Sequence, residues 1–419
     1  MRTGILSRQW PMASGKHPAL GVLVGALAVG WGVTAPAQTG TCVFSDDFES
    51  LAARQRWNPQ GAGTRGQNVL WSTNESHSGR MCLEVNPSAE FRSGGWESEP
   101  FAVQTGQYYR VSLFARSPGQ FFAAIHFYDE HGVETEGDCN WGVDPSAAWA
   151  ERVFCFKPKR TACTGTVVFY PSSASPLWVD DVRVEPVDSL AVLAWADGIY
   201  KDMPPPTNTV LTSVGTVPGG ALARLRQGQP LSIVLFGDSI SSDLDNSALD
   251  VQIERAFPGA KVSTVFAGRG GTGWIKYRYQ VVERILSHQP QLAILLAISN
   301  DASYLAEDLA EIIRILREES PGTELLLVAP HLVSWGREES VGLRHRDIVR
   351  QVAVDAKTGY LDLLQIWQDY QAATGLPLKS LLRDGLHMNE RGRQLTARAV
   401  VSYLQNAADS RPHGAPVRK

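Results

Sequence analysis

Apolar and polar positions follow two different rhythms along this chain. From about Cys42 to Val187, short runs rich in Val, Tyr, Phe and Trp, such as Tyr108 to Ala115, are separated by clusters of Gly, Pro, Ser and Asn. Runs of this length punctuated by turn residues predict a β-sandwich over 42–187. After Gln229 the rhythm changes. Leu231 to Phe236, Lys261 to Phe266, Leu292 to Ile298 and Glu324 to Ala329 are apolar, β-rich runs, and each precedes a helix-like segment such as Asp308 to Glu319 or Val341 to Ala356. Strands alternating with helices predict a doubly wound α/β domain with a mostly parallel sheet over 229–408. The intervening 188–228 carries Met203-Pro204-Pro205-Pro206 and Val217-Pro218-Gly219-Gly220 and reads as a linker, because proline-rich stretches form semi-rigid spacers. Residues 409–419 read as a tail.

Composition agrees with two domains, since 419 residues with 43% hydrophobic content can fill two cores. The N-terminus has a different character. Arg2, Arg8 and Lys16 come before the apolar run Ala19 to Val33, and Ala35-Pro36-Ala37 follows it, which predicts a secretory signal over 1–37. The apolar run falls short of the roughly 20 residues that a membrane span needs. The expected location is therefore secreted or periplasmic, without membrane association after cleavage. Loss of the leader leaves 36 basic against 43 acidic side chains, a formal charge of −7 that makes nucleic acid an unsuitable partner. Cys42, Cys82, Cys139, Cys155 and Cys163 all lie in the first domain; export permits pairing, and an odd number leaves at least one thiol free.

Candidate chemistry gathers where the parallel strands end, which is where such sheets bind ligands. Gly237-Asp238-Ser239-Ile240-Ser241 closes the first strand. It matches half of a Gly-x-Ser-x-Gly elbow, with Ser241 in place of the second glycine. Gly268-Arg269-Gly270-Gly271-Thr272-Gly273 closes the second strand and has the spacing of a dinucleotide fingerprint. It lies after the second strand rather than the first, and no acidic residue ends a strand about 20 residues on, so that reading is rejected. A glycine loop can instead turn backbone N–H groups toward a developing oxyanion. Ile298-Ser299-Asn300-Asp301 closes the third strand and offers a side-chain amide. Near the C-terminus, Asp384-Gly385-Leu386-His387 spaces a carboxylate and an imidazole so that one turn can present both to one cleft, with the ring's second nitrogen facing a serine.

Together, Gly237-Asp238-Ser239, the Ala267-Gly268-Arg269 turn, Asn300-Asp301 and Asp384-x-x-His387 resemble the four blocks of the SGNH, or GDSL, hydrolase superfamily. The resemblance covers about Leu231 to Gln405. It implies a flavodoxin-like three-layer α/β/α fold with Ser239 as nucleophile, His387 as general base and Asp384 as its orienter. It also implies an oxyanion hole of the Ser239 and Gly268 N–H groups and the Asn300 amide, with Gly270 and Gly271 as alternatives to Gly268, and no catalytic cofactor. Ile298 stands where the family usually has glycine. Asp238 is expected to be structural. The first domain, through Asp46-Asp47-Phe48-Glu49, Tyr108 to Ser112 and Trp178 to Val182, is similar to jelly-roll carbohydrate-binding modules. That likeness implies a structural calcium on Asp46, Glu49 and Asp181. Trp96 and Trp141, with Trp71 and Tyr128, are candidates for stacking on sugar rings.

The expected activity is that of a secreted serine esterase removing acetyl groups from a polysaccharide. Two other acyl chemistries fit the same residues: a lipase or thioesterase, and a peptidoglycan O-acetylesterase. A catalytically silent sugar-binding protein is the alternative of another class.

Overall fold

The computed structural model describes residues 41–61, 65–87, 94–135, 137–172, 174–207, 217–297, 305–334 and 339–409. The expected leader, most of the tail, and Ile298, Asn300 and Asp301 lie outside the described residues. Two antiparallel sheets build the first part of the chain. One runs Ser146–Phe156, Tyr108–Ser117, Leu177–Val187, Cys82–Val85, Val69–Ser72 in spatial order, with Phe44–Asp46 also pairing on Leu177–Val187. The other runs Trp57–Gly61, Gly94–Ser98, Thr164–Pro171, Phe121–Tyr128, Cys139–Val143.

The strand Tyr108–Ser117 shows why these residues form a sandwich. Over most of its length inward side chains alternate with outward ones, and Val111, Leu113 and Ala115 face the core. The core is aromatic. Trp57 stacks on Phe169 with centroids 5.8 Å apart, and Trp141 stacks on Phe154 at 4.7 Å. Trp96 and Trp141 are each 1% exposed, so both fill the sandwich interior and neither is placed to stack on a sugar. The five cysteines are all unpaired.

The three carboxylates expected to hold calcium make hydrogen bonds within the protein. Asp46 accepts from the Phe48 N–H (2.9 Å) and the Trp57 indole N–H (3.1 Å), and Glu49 accepts from the Arg80 and Met81 N–H groups. Asp181 is occupied by the His77 ring (2.7 Å) and the Ser78 hydroxyl. Among the described residues no cluster of three or more His, Cys, Asp or Glu side chains is arranged to hold a metal. A calcium shell requires six to eight oxygens.

The α/β part has a five-stranded parallel sheet in the order Lys261–Phe266, Pro230–Gly237, Leu292–Leu296, Glu324–Val328, Gly359–Leu361. The second strand in space is the first in sequence, so the order is the flavodoxin-like 2-1-3-4-5, with its reversal at Pro230–Gly237. Leu292–Leu296 is buried at every position, as a central parallel strand covered on both faces must be. Helices Leu305–Glu319 and Glu339–Asp355 pack with one face of the sheet, while Glu390–Asp409 packs with the helix Leu249–Ala256.

Among its described residues, the expected linker carries two helices. Asp188 caps a helix, Ser189–Tyr200, whose Val192 and Ala196 are fully buried. Its Trp195 indole donates to the Val153 carbonyl at 3.1 Å, and its Asp197 binds Arg255 and Arg398, each at 2.6 Å. A second helix, Gly219–Arg226, has its first N–H groups capped by the Glu324 carboxylate, at 2.8 Å from Gly220 and 2.6 Å from Ala221. Met203 to Pro206 lies between the two helices.

The sandwich docks directly on the helices that follow the first parallel strand. Lys159 reaches the Asp245 carboxylate and, at 2.7 Å, Asn246 Oδ1; Lys157 binds Asp250 and the Thr264 hydroxyl; and the Tyr108 hydroxyl donates to Asp250. Burial disfavours both charges of the Lys159–Asp245 pair, but their attraction outweighs it and holds the lysine pKa above, and the carboxyl below, its ordinary value. Removing one member leaves the other charged and dry. Lys159→Met should therefore cost about 3–5 kcal/mol in denaturant unfolding. The double variant Lys159→Met/Asp245→Asn should recover much of that loss.

Candidate active site

Ser239 begins the helix Ser239–Asp245 directly beyond the first parallel strand, and Asp238 caps that helix by accepting the Ile240 N–H at 3.0 Å. Asp238 is fully buried and structural, as expected. The chain turns sharply here because Gly237 has φ +154°, where a Cβ would come within 1.9 Å of the Leu296 carbonyl oxygen. Ser241, standing in for the usual second glycine, donates its hydroxyl to that same carbonyl.

Asp384 and His387 lie on a tight turn between Leu382 and Met388, which form an antiparallel bridge. The turn is made by its own aspartate. One oxygen of Asp384 accepts the N–H groups of Leu386 (3.0 Å) and His387 (2.8 Å), and the other lies 2.7 Å from His387 Nδ1. Gly385, at φ +84°, supplies the left-handed step. On the far side of the ring, Nε2 is 2.9 Å from Ser239 Oγ. The three expected residues thus form one chain of hydrogen bonds, with the proton on Nδ1 because its partner is a carboxylate. Burial pushes the Asp384 carboxyl up, yet hydrogen bonds and charge from His387 and the charge of Arg383 outweigh it, and the group sits well below the ordinary carboxylate range. It remains an anion at any working pH.

Several groups that hold this turn were not expected from the sequence. Buried Asp243 accepts from Arg383 (2.7 Å) and Arg393 (2.6 Å) on one oxygen and from the Met388 N–H (2.9 Å) on the other. Arg393 also donates to the Asn140 carbonyl of the sandwich. Burial pushes the Asp243 carboxyl up, but the two guanidinium groups pull it below its ordinary value. From the loop after the fourth parallel strand, the Ser334 N–H donates to the Gly385 carbonyl at 2.8 Å and His331 Nε2 to the Leu386 carbonyl at 2.9 Å.

The expected oxyanion groups are placed in part. Gly268 packs so closely on the first strand that a Cβ would lie 1.8 Å from the Gly237 carbonyl oxygen. Gly270 is the glycine beside the serine, since its Cβ position would be 3.8 Å from the Ser239 Cβ. Asn300 lies outside the described residues.

Ser239 and His387 open into a cleft of about 410 Å³. The α/β part lines it with Ser242, Asn246, Phe266, Gly270, Gly271 and Arg383, while the sandwich contributes Phe122, Asp138, Asn140 and Tyr170. The doubled aromatics Phe121-Phe122 and Phe169-Tyr170 carried a readable signal. In an extended strand one of each pair must point outward.

A flavodoxin-like parallel sheet with a serine at its switch strand, facing an imidazole held by a carboxylate, is an arrangement able to activate the serine hydroxyl toward an acyl group. Residues 235–395 match the model of the GDSL-like lipase/acylhydrolase family. No curated protein matches the chain by sequence. Among solved structures, it is similar to a catalytic mutant of an acetylxylan esterase from Geobacillus stearothermophilus, 12% identical, covering 42% of this chain and 94% of that one with a TM-score of 0.37. A two-domain esterase active on acetylated mannans is 20% identical over 48% of this chain and 57% of that one, with a TM-score of 0.40. A xylan-binding domain from Paenibacillus barcinonensis is 14% identical over 36% of this chain and 99% of that one, with a TM-score of 0.30.

His331 provides a pH test of the turn's support. Burial drives its pKa down to about 4, against the pull of its bond to Leu386 and the charge of Asp243. The folded value lies below the unfolded one of about 6.5, so the unfolded chain binds the extra proton between them. Stability is then complete above pH 6.5 and declines as pH falls toward 4. His331→Gln should flatten this part of the stability profile by on the order of 3 kcal/mol relative to the parent. Denaturant midpoints at pH 7 and pH 4.5 measure the difference.

Proposed function

We propose that the protein is an exported serine esterase that removes acetyl or similarly short acyl groups from a polysaccharide. The observation that carries this reading is the hydrogen-bonded line from Ser239 Oγ through His387 to Asp384 at the base of an open cleft. In acylation, His387 Nε2 takes the hydroxyl proton as Ser239 Oγ bonds to the ester carbonyl carbon. The same proton passes to the sugar oxygen as the bond between carbonyl carbon and sugar oxygen breaks. Water, deprotonated by His387, then attacks the acyl carbon; the bond from that carbon to Ser239 Oγ breaks, His387 returns the proton to Oγ, and the carboxylic acid leaves. Asp384 keeps the ring in the required tautomer and balances its transient positive charge. The oxyanion donors are assigned to the N–H groups of Ser239 and Gly268 and to the Asn300 amide.

The cleft's chemistry supports a polar alcohol and a short acyl group. Among the described residues, apart from Phe122, Tyr170 and Phe266, its lining is charged, amide, hydroxyl, imidazole or glycine, which suits a polar alcohol and a short acyl chain. Export rests on the leader expected at 1–37. None of the described helices is long and apolar enough to cross a membrane.

Ser239→Ala should abolish hydrolysis of p-nitrophenyl acetate and acetate release from acetylated glycans; full retention would reject the assignment. Asn300→Ala should lower turnover by about 10²–10³, the usual cost of one oxyanion donor. Acetylated xylan and mannan, pectin, chitin and O-acetylated peptidoglycan, assayed side by side, identify the glycan. Preference for longer p-nitrophenyl esters would point to a lipase instead.

A further inference from the structure

Phe122 and Tyr170 sit directly across from each other on neighbouring antiparallel strands, with ring centroids 5.3 Å apart and planes tilted by 34°. Their sequence neighbours Phe121 and Phe169 point inward and are buried. Phe122 and Tyr170 therefore point out of the sandwich, where they are half-buried. They do not cover the sandwich core. They line the cleft that holds Ser239 and His387.

Polar groups of the same sheet face the same space. Asp138 and Asn140 line the cleft, and the Asn140 amide donates to the Asp138 carboxylate. The Asp138 carbonyl is anchored by Asn246 Nδ2 at 3.2 Å, and the Asn140 carbonyl by Arg393. These contacts tie the sandwich wall to the helix that begins at Ser239 and to the helix that follows the His387 turn. A wall so fixed can orient a substrate relative to the nucleophile.

We infer that the β-sandwich supplies the glycosyl subsite of the active site, with Phe122 and Tyr170 packing on the sugar ring that bears the ester and Asp138 accepting hydrogen bonds from its free hydroxyls. The inference rests on the esterase reading above and names where that enzyme holds its substrate. A sugar ring suits this wall because its C–H faces are apolar and its edges are hydroxyls. Aromatic faces match the first and a carboxylate the second. Burial pushes the Tyr170 phenol up to about 12, so its hydroxyl is a neutral group at working pH.

The test compares two substrates that share the reacting ester but differ in the alcohol. Phe122→Ala/Tyr170→Ala should lower kcat/KM on acetylated xylo- and manno-oligosaccharides at least about tenfold more than on p-nitrophenyl acetate, chiefly through KM. Tyr170→Phe should restore most of the oligosaccharide activity, and Trp149→Ala, on the other sheet and outside the cleft lining, should leave both substrates alone. If the double variant is poorly folded, Tyr170→Ser and Asp138→Asn are measured singly. Binding of the same oligosaccharides to the Ser239→Ala protein, with and without Tyr170→Ser, reads the subsite without turnover. Equal loss on both substrates, or no loss on either, overturns the inference while leaving the esterase reading intact. Activity that survives Ser239→Ala instead overturns the esterase reading itself.

Discussion

Asp243 keeps its charge in the interior because two guanidinium groups meet it there, and the position of the imidazole depends on that neutralisation. One of its oxygens binds Arg383 and Arg393, and the other fixes the Met388 N–H immediately after His387. The turn that carries His387 is thus clamped at both ends by one carboxylate. Arg393 extends the same network to a carbonyl of the sandwich. A buried pair of this kind adds little net stability over apolar packing, but breaking it is expensive, which suits an element whose purpose is position.

The parts of the site legible in the sequence are those made by local chemistry. Asp384-Gly385-Leu386-His387 is legible because the aspartate builds the turn with its own oxygen, and the three-residue offset that this demands is written in the chain. Ser239 is legible because a capping aspartate and a crowded glycine must flank a serine at a strand's end. Four of the five parallel strands show as apolar runs. The fifth, Gly359–Leu361, has three residues and cannot establish a period.

What escaped the sequence depends on pairing between distant segments. Trp96 and Trp141 look like sugar-stacking residues until the register of their strands turns them inward. The helix Ser189–Tyr200 hides beside a proline run, and its partners lie on strands and helices from both halves of the molecule. Asp243, Arg393 and His331 carry no motif at all. Their roles exist only after folding brings 243, 331 and 393 to the back of one turn.

The mode of attachment between the two halves bears on how such proteins diversify. Modules joined by flexible tethers can be shuffled, because each keeps its own surface intact when separated. Here the α/β half presents Asp245, Asn246 and Asp250 to lysines and a tyrosine from the other half, and excision would leave that acidic face bare. Separating the halves would therefore uncover charge that each half now neutralises for the other, so the two behave as one folding unit rather than as exchangeable modules.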